Sequence, residues 1–229
     1  MLIFKYIFNQ LKFWIKNMKK LWKFIVGIAF FGFSAFSCAG SYDDFFKAVQ
    51  LDQTAPIEAL LRRGFDPNTA NQNGVPALMQ ALSDQSFKVA MVLAEHPQTR
   101  TDVRNLRDES PLMLAALRGQ DALVVKLVSR GAKVNKTGWT PLHYAVTGGH
   151  LRATAFLIGA GADVNAESPN GTTPLMMAAM YGNDTTVKLL LESGAQAYLR
   201  NDQGLSAEDF AARAGREDSA RLIRQVLSR

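Results

Sequence analysis

Residues Trp139–His150 read WTPLHYAVTGGH, and close variants of this stretch recur along the chain. Pro141 marks the register of this copy. The residues in the same place of the other copies are Ala77, Pro111, Pro174 and Ala207, and the successive intervals are 34, 30, 33 and 33 residues. A period of about 33 residues predicts a fold of stacked copies of one small unit, and this signal outweighs any local pattern.

The residue types within each copy predict two short helices. Thr140 can cap a helix whose first turn takes Pro141, because the missing N–H of proline costs no hydrogen bond there. Glycines predict the ends: Gly149 follows this helix, and Gly161 follows a second helix that begins near Leu151. One such pair cannot bury its own apolar face, so at least about three pairs must stack.

These tracts, with glycine-alanine stops followed by KVN or DVN, resemble the ankyrin repeat family over about four-fifths of the chain. The resemblance implies an all-α solenoid of about six helix-turn-helix repeats with short hairpin tips, in a domain of residues 40–229. Approximate repeat bounds are 41–70, 71–104, 105–135, 136–165, 166–198 and 199–229.

Two copies depart from the family pattern. The loop that follows His96 in repeat two replaces the glycine-alanine stop with a longer segment. The segment from Asn135 to Pro141 is three residues shorter than that from Asn165 to Pro174. We therefore predict a truncated hairpin before repeat four, with the helices still stacked, since loop length can vary without moving the apolar positions.

The first forty residues have a different composition from the repeats: six lysines, no acidic residue and eight of the fourteen phenylalanines. From Met18, a lysine-rich start, an apolar run over residues 24–36 and the small residues Ser37 and Ala39 predict a signal peptide. Cleavage would leave Gly40 at the N-terminus. The leader is thus residues 1–39, or 18–39 if translation starts at Met18 and not at Met1.

Two alternatives to cleavage stay open, a retained N-terminal membrane anchor and a lipoprotein acylated at Cys38. All three place the repeats outside the cytoplasm, because lysines before an apolar run remain on the inner side. The expected location is the bacterial periplasm, or the periplasmic face of the inner membrane if the leader is retained.

Charge and motifs exclude several function classes. The formal net charge of +6 comes from the six leader lysines, which leaves 20 basic and 20 acidic residues elsewhere. Nucleic acid is not an expected partner, because phosphate binding needs a surplus of Lys and Arg. No nucleophile motif, P-loop or dinucleotide fingerprint is present, so neither catalysis nor a cofactor is expected.

No metal site is expected either. His143 and His150 occupy positions that in ankyrin repeats are structural, and no ligand cluster has zinc-site spacing. Met176, Met177 and Met180 could form a soft metal site, but methionine at helical spacing more often fills a core.

The family resemblance implies protein binding through a concave face made by the hairpin tips and the first helix of each repeat. Trp139 is expected beside Arg118 and Tyr181. Two alternatives stay open: Trp139 folds down over the short hairpin, and Met180 packs between repeats. The residues expected to contact a partner are Glu109, Trp139, Thr172 and Leu205 in the tips, and Leu117, Arg118, Met180, Tyr181 and Arg213 on the helices.

The sequence therefore favours a non-enzymatic, monomeric protein-binding module whose partner is not identified by any motif. The membrane would be contacted only through an uncleaved leader. Two alternatives remain. One is a protective or immunity factor that supports a periplasmic oxidoreductase or neutralises a toxin, and the other is a secreted effector that binds host proteins.

Overall fold

The structure, a computed structural model, describes residues 40–228. The chain divides into two units between Lys47 and Ala48, so the described part of the first unit is residues 40–47. In that part the ring of Phe46 lies 5.0 Å from Tyr42 and 5.4 Å from Phe45, centroid to centroid. The predicted leader, with its signal-peptide, anchor and lipoprotein alternatives, lies outside the described residues.

Twelve helices occupy the described residues and follow one another in six pairs. Helix α1 spans residues 40–50. The others are α2 (Thr54–Arg62), α3 (Ala77–Ser83), α4 (Phe87–Glu95), α5 (Pro111–Leu117), α6 (Asp121–Ser129), α7 (Pro141–Thr147), α8 (Leu151–Gly159), α9 (Pro174–Tyr181), α10 (Asp184–Glu192), α11 (Ala207–Arg213) and α12 (Glu217–Leu227).

The predicted caps start the first helix of the later repeats. The Thr140 hydroxyl accepts the N–H of His143, and the His143 side chain accepts the N–H of Thr140 at 3.2 Å. The same reciprocal pair opens α5, α9 and α11, with prolines at the first turn of α5 and α9. Each cap contributes about 1 kcal/mol, which matters for helices of only seven or eight residues.

The helices stack in two layers. The first helices of successive repeats, α3, α5, α7, α9 and α11, contact one another in order, and so do the second helices α2, α4, α6, α8, α10 and α12. Fully buried alanines such as Ala145 and Ala178 let neighbouring first helices approach closely, while Leu142 and Leu157 fill the space between the layers. In residues 40–228 β-pairing is limited to isolated bridges at two tips. The predicted all-α solenoid is confirmed.

A recurring asparagine joins most repeats to the next one. Asn165 Nδ2 donates to Gly194 O at 3.2 Å, and Asn165 Oδ1 accepts from Gln196 N at 2.8 Å. Asn68 and Asn135 make the same two kinds of bond to the repeats that follow them. These side chains satisfy backbone groups at the ends of second helices and in the turns after them.

The junction between repeats two and three uses different groups. Asp102 occupies the asparagine position, and the Arg130 guanidinium donates to three carbonyls at the end of α4 and directly after it. Those carbonyls belong to Glu95, His96 and Pro97, at 2.8–3.0 Å. Arg130 therefore supplies what the missing glycine-alanine stop supplies elsewhere, a set of donors for the last carbonyls of a helix.

The truncated hairpin before repeat four is confirmed. In a full-length tip, Ser168 N donates to Thr172 O and Gly171 N donates to Ser168 O, both at 2.9 Å. Within the shorter connection, residues 130–140, no such pair closes the loop; instead Lys136 Nζ donates to the carbonyls of Thr137 and Trp139. Helices α5, α7 and α9 nevertheless remain packed in order.

Candidate protein-binding surface

One side of the stack presents a row of side chains that we call the first-helix face. All are half-buried and apolar except Thr147, which is polar, and Arg213, which is charged and exposed. Its members are the fourth residue of each first helix in repeats three to six and the residue three places later, which share one face of a helix. They are Leu114 and Leu117, Tyr144 and Thr147, Met177 and Met180, and Phe210 and Arg213. In repeat two the same positions hold the polar Gln80 and Ser83. The apolar part of the face is therefore centred on repeats three to five.

Hydrogen bonds fix the tyrosine of this face. Tyr144 OH donates to Glu109 Oε1 at 3.0 Å, and Glu109 Oε2 accepts from Asn105 Nδ2 at 2.6 Å. Burial raises the pKa of Tyr144 well above its usual value, and the nearby Glu109 carboxylate adds to this effect. The phenol therefore remains a hydrogen-bond donor, and its ring has a fixed position on the face.

A buried histidine supports the centre of the face. His143 Nε2 donates to Thr172 O at 2.9 Å, so its Nδ1 carries the lone pair that accepts the N–H of Thr140. Burial lowers the pKa of His143 to about 4, which keeps the ring neutral. The Trp139 ring contacts it edge-on, with centroids 5.2 Å apart.

These side chains enclose a pocket of about 230 Å³, which we call the Trp139 pocket. It spans three repeats along the length of α7, and five of its six lining residues come from α5, α7 and α9. The lining residues are Leu117, Trp139, His143, Tyr144, Thr147 and Met177. Its walls are held by the hydrogen bonds of Tyr144 and His143, so the pocket exists before any partner binds.

Most of the residues expected from the sequence are at least partly accessible in the structure. Arg118, Tyr181 and Arg213 are exposed, and Tyr181 is 52% accessible. The half-buried ones are Glu109, Leu117, Trp139, Met180 and Leu205. These side chains remain predicted contacts for a partner.

Thr172 is a correction. Its side chain is only 3% exposed, and its backbone carbonyl and N–H are engaged by His143 and by Ser168 Oγ. Thr172 stands directly before Thr173, the cap of α9, and its carbonyl joins this tip to His143 of the preceding repeat. Thr172 therefore holds the face in place and cannot contact a partner through its side chain.

The expected cluster of Trp139 with Arg118 and Tyr181 stays a prediction. Trp139 lines the pocket with Leu117 and Met177, whereas Arg118 directly follows α5 and Tyr181 ends α9.

Tyr144 and Met177 line the pocket but were not among the contact residues expected from the sequence. Sequence mapping considered the residue before each cap and the two residues at the end of each first helix. The missed pair lies three residues before Thr147 and Met180, on the same side of α7 and α9. Helical spacing applied backwards from the mapped positions would have found both.

The structural role expected for the other histidine is confirmed. His150 Nε2 donates to Leu117 O at 2.9 Å, and a Cβ at Gly119 or Gly148 would overlap its ring. Of the methionines, Met176 is buried and its sulfur accepts the N–H of Thr173 at 3.4 Å. In residues 40–228 no three His, Cys, Asp or Glu side chains converge as a metal would need.

No helix formed by residues 40–228 has the length and apolarity to cross a bilayer. This finding concerns only the described residues and says nothing of residues 1–39, on which the predicted leader lies.

Known proteins resemble the chain in its repeats. The profile of the family described as ankyrin repeats (3 copies) matches residues 45–137, 98–168 and 148–226. The chain belongs to the ankyrin repeat family, whose members are generally protein–protein interaction modules.

Three relatives show how short the shared region is. The rat ankyrin repeat and SAM domain-containing protein 6 is 33% identical over 109 residues, which are 46% of this chain and 12% of that protein. The fission yeast (Schizosaccharomyces pombe) glycerophosphocholine phosphodiesterase gde1 is 31% identical over 50% of this chain and 9% of its own length. The human transient receptor potential cation channel subfamily A member 1 is 26% identical, over 51% and 11%. The chain therefore covers less than two thirds of the length of these relatives and matches them only in their repeats. Ankyrin repeat domains are typically non-catalytic.

Proposed function

We propose that this chain is a non-enzymatic, monomeric module that is exported to the bacterial periplasm and binds another protein there through its first-helix face. The observation that carries the proposal is the apolar row on α5, α7 and α9 with the Trp139 pocket at its centre. A large apolar patch bordered by polar residues on a soluble domain is typical of an interaction site. Tryptophan, tyrosine, methionine and arginine, which this face and its pocket contain, are enriched at protein interfaces.

Export is supported by the sequence of residues 1–39. Lysines, a short apolar run and the small residues before Gly40 have the order of a secretory signal. The repeats themselves contain no cysteine, since Cys38 is the only one in the chain, and a solenoid of this size does not need disulfides outside the cytoplasm.

The binding face can be tested with one matched pair of positions. Tyr181, the residue after Met180 of the first-helix face, is 52% exposed, and Tyr198 is 66% exposed in the turn after α10. A photo-crosslinking amino acid at each position, in the full chain expressed in cells, compares two surfaces with the same residue type and similar exposure. We expect a crosslinked protein from position 181 and none from position 198. Crosslinks only from position 198, or from neither, would refute binding at this face.

Export is tested separately by fractionation and intact mass. We expect periplasmic protein that begins at Gly40. Recovery of the chain with its leader in the membrane fraction, or a lipid mass on Cys38, would replace the soluble form with an anchored one. Recovery only from the culture medium would favour a secreted effector.

A further inference from the structure

We infer that the Trp139 pocket takes one large apolar side chain from an extended segment of a partner protein, and that this segment carries a lysine or arginine within one or two residues of the apolar anchor. The inference deepens the proposed function and rests on it. It names the chemistry of the segment that the first-helix face recognises.

The size of the pocket favours a single side chain. Its volume of about 230 Å³ is below the roughly 300–1,000 Å³ of typical small-molecule sites. The lining is aromatic and aliphatic apart from Thr147 and the His143 ring. Its position on a row of half-buried residues, with further apolar side chains beyond Met177, is that of a hot spot within a larger contact.

The length of the pocket favours an extended segment. It runs along α7, from Trp139 before the helix to Thr147 at its end, which is about 10 Å. That distance accommodates about three residues of extended chain at roughly 3.3 Å each. The connection that carries Trp139, residues 130–140, is also three residues shorter than 160–173, so no full-length tip stands over this end of the pocket.

The charge beside the pocket selects a basic neighbour for the anchor. Glu109 is bound by two neutral donors, Tyr144 OH and Asn105 Nδ2, and forms no ion pair with any residue of 40–228. The adjacent carboxylate of Asp108 is paired with Lys136. Arg107 is exposed at the tip and also acts on Tyr144 through its charge. Glu109 is therefore the carboxylate at this end of the pocket that still lacks a charged partner.

The test uses a phage-displayed library of random 12-residue peptides, selected on the immobilised full chain and read by deep sequencing. We expect enriched peptides to share a large apolar residue with a lysine or arginine one or two places away. Glu109→Gln keeps an acceptor for Tyr144 but removes the charge, so it should abolish the basic preference and keep the apolar one. Met177→Glu places a charge in the pocket and should reduce the enrichment by about thirtyfold or more.

Controls separate this inference from the proposed function. Tyr198→Ala, remote from the pocket, should enrich the same peptides as the natural chain. If circular dichroism shows that Met177→Glu does not fold, Thr147→Arg replaces it. This variant fills the pocket from its solvent side and should reduce the enrichment to the same extent. Unchanged enrichment in a folded pocket variant, acidic residues beside the anchor, or no enriched class in the natural chain would overturn the inference. A crosslink from position 181 in the same cells would then show that the face still binds a protein by other chemistry.

Discussion

The junction between repeats two and three differs in charge from the junction between repeats four and five. The first is held by the Arg130 guanidinium on three carbonyls and by two ion pairs, Lys126 with Glu95 at 3.3 Å and Lys133 with Asp102 at 3.7 Å. The second is held by neutral groups, the Asn165 amide and the His143 imidazole. Both junctions satisfy backbone groups at the ends of helices or in tips. The same stacking geometry is therefore maintained in one place by charged groups, which respond to salt, and in the other by neutral groups, one of which responds to pH.

The largest expected effect is a loss of stability in acid at the neutral junction. The pKa of His143 is lowered to about 4 in the folded chain, below its ordinary value of 6.5, so the unfolded chain binds the additional proton. The stability that depends on neutral His143 is fully present above pH 6.5 and is lost as the pH falls towards 4. At pH 4 the loss in the free energy of unfolding amounts to about 3 kcal/mol. Urea unfolding followed by circular dichroism at pH 7, 5.5 and 4 measures this loss.

The matched variant is His143→Met. Met113 and Met176 occupy this position in α5 and α9, where their sulfur atoms accept the N–H of the cap residue. The variant should be less stable at pH 7 by about 1 kcal/mol, because Thr172 O loses one of its donors, but it should lose less stability in acid than the natural chain. Equal acid losses in the two proteins would exclude His143 as the titrating group.

The second effect is at the charged junction. Arg130→Ala removes donors from the carbonyls of Glu95, His96 and Pro97, and should lower the free energy of unfolding by about 2 kcal/mol, because water replaces only part of these bonds. Amide hydrogen exchange should accelerate in α3 and α4 and remain unchanged in α9 and α10, since coupling in a solenoid is between neighbours.

Arg130→Lys is the control, since it keeps the charge and loses the planar fork. One ammonium cannot reproduce the geometry of two guanidinium nitrogens on three carbonyls, so the loss should be intermediate. If the lysine variant matches the natural chain, charge alone holds this junction and the hydrogen-bond geometry is unimportant.

The parts of the fold that depend on local chemistry could be predicted from the sequence. Thr140, Pro141 and Gly149 act on their own backbone within a few residues, so the first helices follow from local chemistry. The truncated loop was visible as a count of residues between Asn135 and Pro141. The apolar positions repeat with the period of the unit, which was enough to predict the stack.

Arg130 was not predicted as a junction residue because its acceptors lie 33–35 positions earlier in the chain. The Trp139 pocket was missed for a similar reason, since its walls come from three repeats and no single copy contains it. Thr172 was assigned to the surface by position alone, whereas the bond from His143 of the preceding repeat keeps it buried. Contacts between copies are the part of a repeat protein that a per-copy pattern does not include.

A smaller effect tests whether the asparagine itself matters at the neutral junction. Asn165→Asp gives repeat four the residue that repeat two has at position 102. The carboxylate can still accept from Gln196 N but cannot donate to Gly194 O, so we expect a loss of about 1 kcal/mol, measured by urea unfolding at pH 7. Asp102→Asn is the reciprocal change. It removes the ion pairs of Asp102 with Arg104 and Lys133 but gains the amide donor, and Arg130 already joins those repeats, so stability should change by less than about 0.5 kcal/mol. A large gain from Asp102→Asn would mean that the charged junction is weaker than its contacts indicate.

The smallest effect is the salt dependence of the charged junction. The side chains of Lys126 and Glu95 are 37% and 54% exposed, and such surface pairs contribute about 0–1 kcal/mol. Screening at 0.5 M salt acts over roughly 4 Å, close to the 3.3 Å separation of this pair, so salt should remove only part of that contribution, about 0.3 kcal/mol.

Hydrogen exchange in α4 and α6, measured at low and high NaCl for the natural chain and for Lys126→Gln, isolates the contribution of this ion pair. Lys188→Gln is the control, because Lys188 pairs with Glu192 within α10 and joins no repeats. The same salt response in α4 and α6 for both variants would show that the Lys126 pair is only a surface contact, and that Arg130 holds the junction without it.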